Sequence, residues 1–221
     1  MRVILFGATG MVGQGVLREC LMAPEVTAVL AVGRNPLGQS HQKLREIVHK
    51  DLANLSNIEN ELRDYDACFF CLGATSAGLT EAGYRQLTRD LTLGIAQTLN
   101  PGMIFIYVSG MGADSSEHGR VMWARVRGET ENALLRLPFK SVYIFRPGYI
   151  QPLHGIQSKT KLYRVFYAIL APVFPLLRKL APNYVTTTGE MARAMIEVVK
   201  RGYQKRVLEV RDINEVAVAS S

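Results

Sequence analysis

The sequence predicts an α/β fold, a doubly wound parallel sheet with helices on both faces. Three observations predict it. Short, almost wholly apolar runs alternate with longer stretches of helical periodicity, which is the pattern of βαβ units. The runs lack the in–out alternation of a half-solvated strand, as expected where helices cover both faces. A glycine-rich turn joins the first apolar run to the first helical stretch.

Seven strands are expected: Arg2–Phe6, Thr27–Val32, Leu44–His49, Ala67–Leu72, Met103–Ser109, Ser141–Phe145 and Arg206–Val210. Helical stretches lie between them at Met11–Met22, Glu81–Leu99, His118–Arg136, Thr160–Ala171 and Gly189–Lys200. In the last, Met191, Ala194, Met195 and Val198 recur at helical spacing and mark a buried stripe. No repeat, low-complexity tract or linker interrupts the chain, so 1–221 is expected to form one domain, with a small C-terminal lobe at about residues 149–190.

Composition removes whole classes. With 48% hydrophobic and 20% charged residues, the chain is not disordered, collagenous or a coiled coil. Three cysteines are too few, and odd in number, for a disulfide framework; they point to a reducing cytoplasm. Cys68-Phe-Phe-Cys71 resembles a redox pair, but residues three apart in a strand face opposite ways. Four scattered histidines and three cysteines give no metal-ligand spacing. The chain opens straight into an apolar strand, so no leader is expected. The longest uncharged apolar-rich stretch, Val165–Leu177, is broken by Pro172 and Pro175, whereas a spanning helix needs about 20 apolar residues.

The net charge of +7 is uneven. Residues 1–110 carry 9 basic and 10 acidic side chains, and residues 111–221 carry 17 and 9. No acid occurs between Glu131 and Glu190, a stretch that holds eight basic residues. Within it Leu162, Val165, Phe166, Ile169 and Leu170 form one helical face, with Lys161 and Arg164 elsewhere on the wheel. Three uses fit the segment 158–180: a cover over a cleft, a surface for an anionic substrate, or a peripheral contact with anionic lipid. Nucleic acid has no comparable support, because no helix-turn-helix, zinc-finger or RNA-binding signature is present.

The first strand runs into Gly7-Ala8-Thr9-Gly10-Met11-Val12-Gly13, a Gly-x-x-Gly-x-x-Gly turn opening a helix. Glycines at this spacing allow a tight turn, close approach to a pyrophosphate, and close helix–sheet contact, while the helix N-terminus offers free N–H groups to the phosphates. The spacing predicts a Rossmann-type dinucleotide site, the plain alternative being a glycine-rich strand–helix turn with no ligand. Where an acid would accept hydrogen bonds from a ribose, 21 residues after Gly13, the chain has Arg34. A guanidinium fits a 2′-phosphate and accepts nothing, so NADP (NADPH over NADH) is the expected cofactor. The plain alternative is a solvated surface arginine.

Further matches follow the strands: Asp51-Leu52 after the third, Cys71-Leu72-Gly73-Ala74-Thr75 after the fourth, Ser109 closing the fifth, and Arg146-Pro147-Gly148 after the sixth. With the glycine turn and Arg34, they make nearly the whole chain resemble the atypical short-chain dehydrogenase/reductase superfamily. Within it the chain is most similar to the Tat-interacting-protein oxidoreductase type and its bacterial epimerase-like relatives. The resemblance implies that Asp51 and Leu52 hold the adenine, that Leu72, Gly73 and Ala74 line the ribose and pyrophosphate, and that Pro147, Gly148, Tyr149 and Ile150 meet the nicotinamide. It also places about residues 149–190 on the substrate side.

The superfamily's catalytic set is a Ser with Tyr-x-x-x-Lys, and here the resemblance breaks. No tyrosine has a lysine four positions on; Trp123 and Arg127 stand in their places. Positions i and i+4 share a helix face, so Arg127 can still offer a positive charge and donors to ribose hydroxyls. An indole N–H donates only, and arginine does not deprotonate in proteins. Ser109 keeps a hydroxyl at the strand end, either as part of the chemistry or as simple polar termination. His118, His154, Tyr84 and Tyr149 are further candidate proton donors, each with an ordinary surface or packing role as the alternative.

Two functions follow. One is an NADP(H)-binding oxidoreductase or epimerase-like enzyme acting on a small, anionic molecule, with Ser109, Trp123 and Arg127 as its degenerate catalytic set. The other is an NADPH-binding sensor or regulatory module without turnover, with or without a membrane-surface contact through the 158–180 segment.

Overall fold

The computed structural model describes residues 1–156 and 174–219. Seven parallel strands form the central sheet: β1 (Arg2–Phe6), β2 (Ala28–Gly33), β3 (Leu44–Val48), β4 (Ala67–Phe70), β5 (Ile104–Val108), β6 (Ser141–Arg146) and β9 (Val207–Glu209), in the order β3-β2-β1-β4-β5-β6-β9. All seven expected strands are present, with ends moved by a residue or two. Two three-residue strands that the sequence did not signal, β7 (Tyr149–Gln151) and β8 (Val185–Thr187), pair in parallel beside the sheet.

Side-chain alternation along these strands builds two cores. Val3, Leu5, Val29, Ala31 and Phe69 face one way, and Ile4, Phe6, Leu30, Val32 and Phe70 face the other. Helices α1 (Met11–Met22), α6 (Thr188–Arg201) and α7 (Val210–Val218) cover the first face. A 3-10 turn at Ser56–Leu62, α3 (Leu91–Gln97) and α4 (Met122–Leu135) cover the second. A sheet buried on both faces needs apolar residues at every position, which is why the strands lack alternation. Cys68 and Cys71 fall on opposite faces, as strand geometry requires.

Helix ends follow local chemistry. α6 opens with a capping box, in which Thr187 Oγ1 accepts from the Glu190 N–H and the Glu190 carboxylate accepts from the Thr187 N–H. It closes at Gly202, whose φ of 74° suits glycine. α1 stops at Ala23, just before Pro24.

Four expectations need correction. The helix predicted over Glu81–Leu99 is three pieces: α2 (Glu81–Arg85), a π-helical turn (Gln86–Asp90) and α3. The helix predicted from His118 begins at Met122, because the Asp114 carboxylate accepts from the Ser116 and Gly119 N–H groups and holds that stretch as a loop. The last strand ends at Glu209, because Val210 begins α7. A short α5 (Phe174–Leu180) lies where no helix was expected, and leaves Leu176 and Leu180 exposed. The helix expected over Thr160–Ala171 lies outside the described residues, as does most of the basic 158–180 segment. Among the described residues, no helix is long and apolar enough to cross a membrane.

Candidate functional site

The sheet order reverses direction between β1 and β4, so the crevice at their carboxyl ends is the expected place for a ligand. The glycine turn sits there. Gly7 has φ +85°, and a Cβ on it would lie 2.6 Å from the Cys71 carbonyl carbon at the end of β4. A Cβ on Gly13 would lie 2.1 Å from the Gly7 oxygen. Both glycines are therefore required by the chain's own packing. Gly10 differs: its Cβ would have only the Gly7 oxygen nearby, at 3.3 Å.

Gly10 is the N-cap of α1 and supplies no capping side chain. Among the described residues, the N–H groups of Met11, Val12 and Gly13 have no protein acceptor, while Gly10 N–H bonds Gly7 O and Gln14 N–H bonds Gly10 O. The Met11 and Val12 side chains pack on the core. Three free backbone donors at the start of a helix fit a pyrophosphate.

A cavity of about 210 Å³ runs from this turn past Gly33 and Arg34 to Leu52, Leu72 and Gly73, with Ala8 and Thr9 in its wall. It shares Arg34, Leu52, Leu72 and Gly73 with a second of about 310 Å³, which adds Lys50, Asp51, Ala74, Leu87 and Leu91. Apolar Leu52, Leu72, Leu87 and Leu91 share the wall of the second hollow with charged Arg34, Lys50 and Asp51. Arg34 is exposed and, among the described residues, forms no hydrogen bond or ion pair. Asp51 caps its own turn through the Ala53 N–H at 3.0 Å. Glu46, which the sequence did not single out, also lines the first cavity; its Oε1 accepts from the Leu37 N–H at 2.7 Å.

Ala74 continues into a third hollow of about 410 Å³, lined also by Thr75, Ser76, Tyr84, Gly110, Met111, Trp123, Arg127, Pro147 and Gly148. Trp123 and Arg127 stand together on α4, as their spacing requires. Trp123 packs on Gly112, where a Cβ would lie 3.4 Å from its ring. The Arg127 guanidinium lies against Gly110 and Gly73, and its Nε donates to the Tyr84 hydroxyl at 3.2 Å. Among the described residues no carboxylate pairs with it. Burial would lower its pKa, but Tyr107, Tyr84 and Glu131 outweigh that and hold it firmly charged. Gly148 lets the chain pass close to Met111 and to the Tyr184 carbonyl.

Other candidates lie elsewhere. Ser109 is 6% exposed and donates its hydroxyl hydrogen bond to Glu131, and it does not line the third hollow. Glu131 is in turn held by Arg146 and is 1% exposed. Tyr149 donates to Gln151 Oε1 at 2.7 Å, and Ile150 is buried in the core; neither lines that hollow. His118 and His154 are exposed on loops outside its wall, and His154 has φ +57°. The thiols of Cys20, Cys68 and Cys71 are all pushed up by burial, that of Cys20 to about 12. Among the described residues no cluster of His, Cys, Asp and Glu would hold a metal ion.

Sequence reasoning missed Glu131 and the pairing of Tyr84 with Arg127. Glu131 carried a signal: an acid at i+4 from Arg127, on the same helix face.

Residues 7–134 match the family described as NAD(P)H-binding. The Saccharomyces cerevisiae protein "Protein FMP52, mitochondrial" is 29% identical over 164 residues, covering 73% of this chain and 69% of the relative. The Rattus norvegicus "Protein HTATIP2" is 28% identical over 150 residues, covering 66% of this chain and 61% of that relative's length. Among solved structures, UDP-glucuronic acid 4-epimerase from Bacillus cereus, in complex with UDP-glucuronic acid and NAD, matches with a TM-score of 0.63. The match covers 95% of this chain and 77% of the epimerase at 14% identity, and shows the shared Rossmann-type fold. The yeast match overturns the purely cytoplasmic address expected from the cysteines, since that relative is a mitochondrial protein. Unpaired thiols report a reducing environment, which does not single out the cytoplasm.

Proposed function

The chain belongs to the NAD(P)H-binding family and is an atypical short-chain dehydrogenase/reductase-like protein, and from that premise we propose that it is an NADP(H)-dependent oxidoreductase or epimerase-like enzyme whose catalytic helix carries Trp123-x-x-x-Arg127. The observation that supports this best is continuity. The glycine-turn cavity, the hollow rimmed by Arg34 and the hollow walled by Trp123 and Arg127 share residues end to end.

In this reading 1–221 acts as one unit, with about 149–190 on the substrate side. The free N–H groups of Met11, Val12 and Gly13 hold the pyrophosphate, with Gly7, Ala8, Thr9 and Gly10 shaping the turn. Leu52 and Leu72 flank the adenine beside Asp51, and Gly73 and Ala74 pass the ribose. Arg34 takes the 2′-phosphate with Lys50 beside it; both line the same hollow. Arg127 holds the second ribose, and Pro147 and Gly148 bound the nicotinamide pocket. Bound there, the reduced cofactor supplies a hydride. Arg127 is the only charged residue among the described ones that line the third hollow, so the acid-free wall suits a small anionic substrate.

Trp123 is the chain's only tryptophan, so its emission tests the assignment. Titration with NADPH should quench it, and NADH should bind more weakly. NADPH oxidation is then followed over aldehydes, ketones and quinones. Unchanged emission at saturation overturns the placement of the nicotinamide beside Trp123. Quenching without turnover on any member overturns the enzyme reading and leaves a sensor.

A further inference from the structure

We propose that the Tyr84 hydroxyl is the proton donor of this cleft, held and charge-stabilised by Arg127. The inference rests on the oxidoreductase reading above and adds the group that reading lacks. It begins from a contact between two helices far apart in sequence. Arg127 Nε on α4 donates to Tyr84 Oη on α2 at 3.2 Å, and both residues line the hollow that holds Trp123 and Pro147. The Tyr84 ring is 1% exposed. Buried as it is, Tyr84 still forms part of the wall of the hollow, and its hydroxyl is held by the Arg127 guanidinium in that same wall.

The placement is fixed from both sides. Glu81, three residues before Tyr84, accepts from Arg125 at 2.7 Å, and Arg85, the next residue, pairs with Glu129 at 2.9 Å. These two ion pairs bracket the Tyr84–Arg127 contact and lock α2 to α4. Directly after α2 the chain widens into the π-helical turn Gln86–Asp90, a local geometry found often at functional sites.

The chemistry follows from the donor arrangement. Because the guanidinium occupies one lone pair of Tyr84 Oη, the hydroxyl proton points elsewhere. In carbonyl reduction a hydride from the reduced nicotinamide forms the new C–H bond, and the carbonyl π pair moves to oxygen. The Tyr84 O–H bond breaks as its proton passes to that oxygen, giving the alcohol. The phenolate left behind sits against a cation that cannot itself lose a proton, and water reprotonates it. Tyr107, the other phenol near Arg127, is held protonated by burial, which pushes it up to about 12. It does not line the hollow, and Tyr84 does.

The test uses the full-length protein with 9,10-phenanthrenequinone and 4-nitrobenzaldehyde as probes. Removing a general acid costs about 100- to 10,000-fold, so Tyr84→Phe should lower kcat by that range while NADPH still quenches Trp123 at the wild-type concentration. In the cofactor-free protein, the ¹³Cζ resonance of Tyr84 should shift in Arg127→Met, and this measurement carries the test if Tyr84→Phe fails to fold. Wild-type turnover in Tyr84→Phe, or a resonance that Arg127→Met leaves in place, overturns the proposal alone. A wild-type protein that binds NADPH but reduces neither probe overturns the oxidoreductase reading, and this proposal with it.

Discussion

Ser109 donates its hydroxyl hydrogen bond to the buried carboxylate of Glu131, which Arg146 Nε also grips, at 3.1 Å. That carboxylate ties together the end of β5, the middle of α4 and the end of β6. Arg146 also reaches Glu209 at 3.2 Å, so β9 joins the same knot. A hydroxyl committed in this way is a clamp, and the two partners should respond differently to mutation. Ser109→Ala removes one hydrogen bond and should cost about 1 kcal/mol in stability, with turnover close to wild type. Glu131→Gln leaves the Arg146 guanidinium with only the half-exposed Glu209 as counter-charge and should cost more, about 3 kcal/mol. Urea unfolding of both variants checks the order. Ser109→Ala that folds normally but loses turnover would return Ser109 to the catalytic set.

The three glycines of the turn should separate into two classes. A Cβ at position 13 would lie 2.1 Å from the Gly7 oxygen, against 3.3 Å at position 10. Gly13→Ala must push the first turn of α1 off β1, at a cost of about 1–3 kcal/mol or more. Gly10→Ala meets only one tight contact, with the Gly7 oxygen, so it should lose much less stability than Gly13→Ala but hold NADPH at least ~10-fold more weakly, since the added methyl sits beside the N–H groups proposed for phosphate. Calorimetry and Trp123 quenching measure the two effects separately. Equal loss of stability in both variants would mean that Gly10, like Gly13, is needed by the chain's own packing and not by a ligand.

The sheet was legible because both faces are covered: strands such as Ala67–Phe70 are apolar at every position, and the glycine turn fixes where β1 ends. The glycine turn was legible because it is local in sequence. The hollow beside α4 was less so. Tyr84 and Arg127 lie 43 residues apart and Ser109 and Glu131 lie 22 apart, and no periodicity connects them. The π-helical turn was invisible because Gln86–Asp90 has ordinary helix formers. β7 and β8, three residues each, are too short to carry a pattern. α7 was masked by Val207–Val210, whose apolar ends read as one strand until Asp212 accepts the Glu209 N–H and starts a helix.

Arg34 has a defined prediction because its neighbours are known. It shares the second hollow with Lys50, and Glu46 in the adjoining cavity already accepts from the Leu37 N–H. Arg34→Asp should weaken NADPH binding and raise NADH affinity, because a carboxylate accepts from ribose hydroxyls and repels a 2′-phosphate. A loss of about 1.5–3 kcal/mol, the scale of one charged hydrogen bond, is expected for NADPH. The Trp123 titration reads both dissociation constants. An unchanged ratio in Arg34→Asp would show that the arginine is only a solvated surface residue.

Acid should unfold the protein through a small set of carboxylates. Hydrogen bonds from Arg125 and Arg85 hold Glu81 below its ordinary range, and Ser116 and the Gly119 N–H do the same for Asp114. Asp212 is a sharper case. Burial alone would raise its pKa, but Lys205, the Glu209 N–H and Tyr203 outweigh burial and lower it. A carboxylate lowered in the folded state binds protons more weakly there than in the unfolded chain, so its contribution is complete above the unfolded pKa, about 3.9 for Asp and 4.3 for Glu. It is lost as pH falls through the folded value. Stability should therefore be flat from neutral pH to about 5 and fall steeply below about 4. Asp212→Asn cannot titrate; it should be less stable than wild type at neutral pH and lose less between pH 5 and 3. Urea midpoints across that range give the comparison, and a variant with the wild-type acid slope would show that Asp212 is not one of the groups whose protonation unfolds the chain.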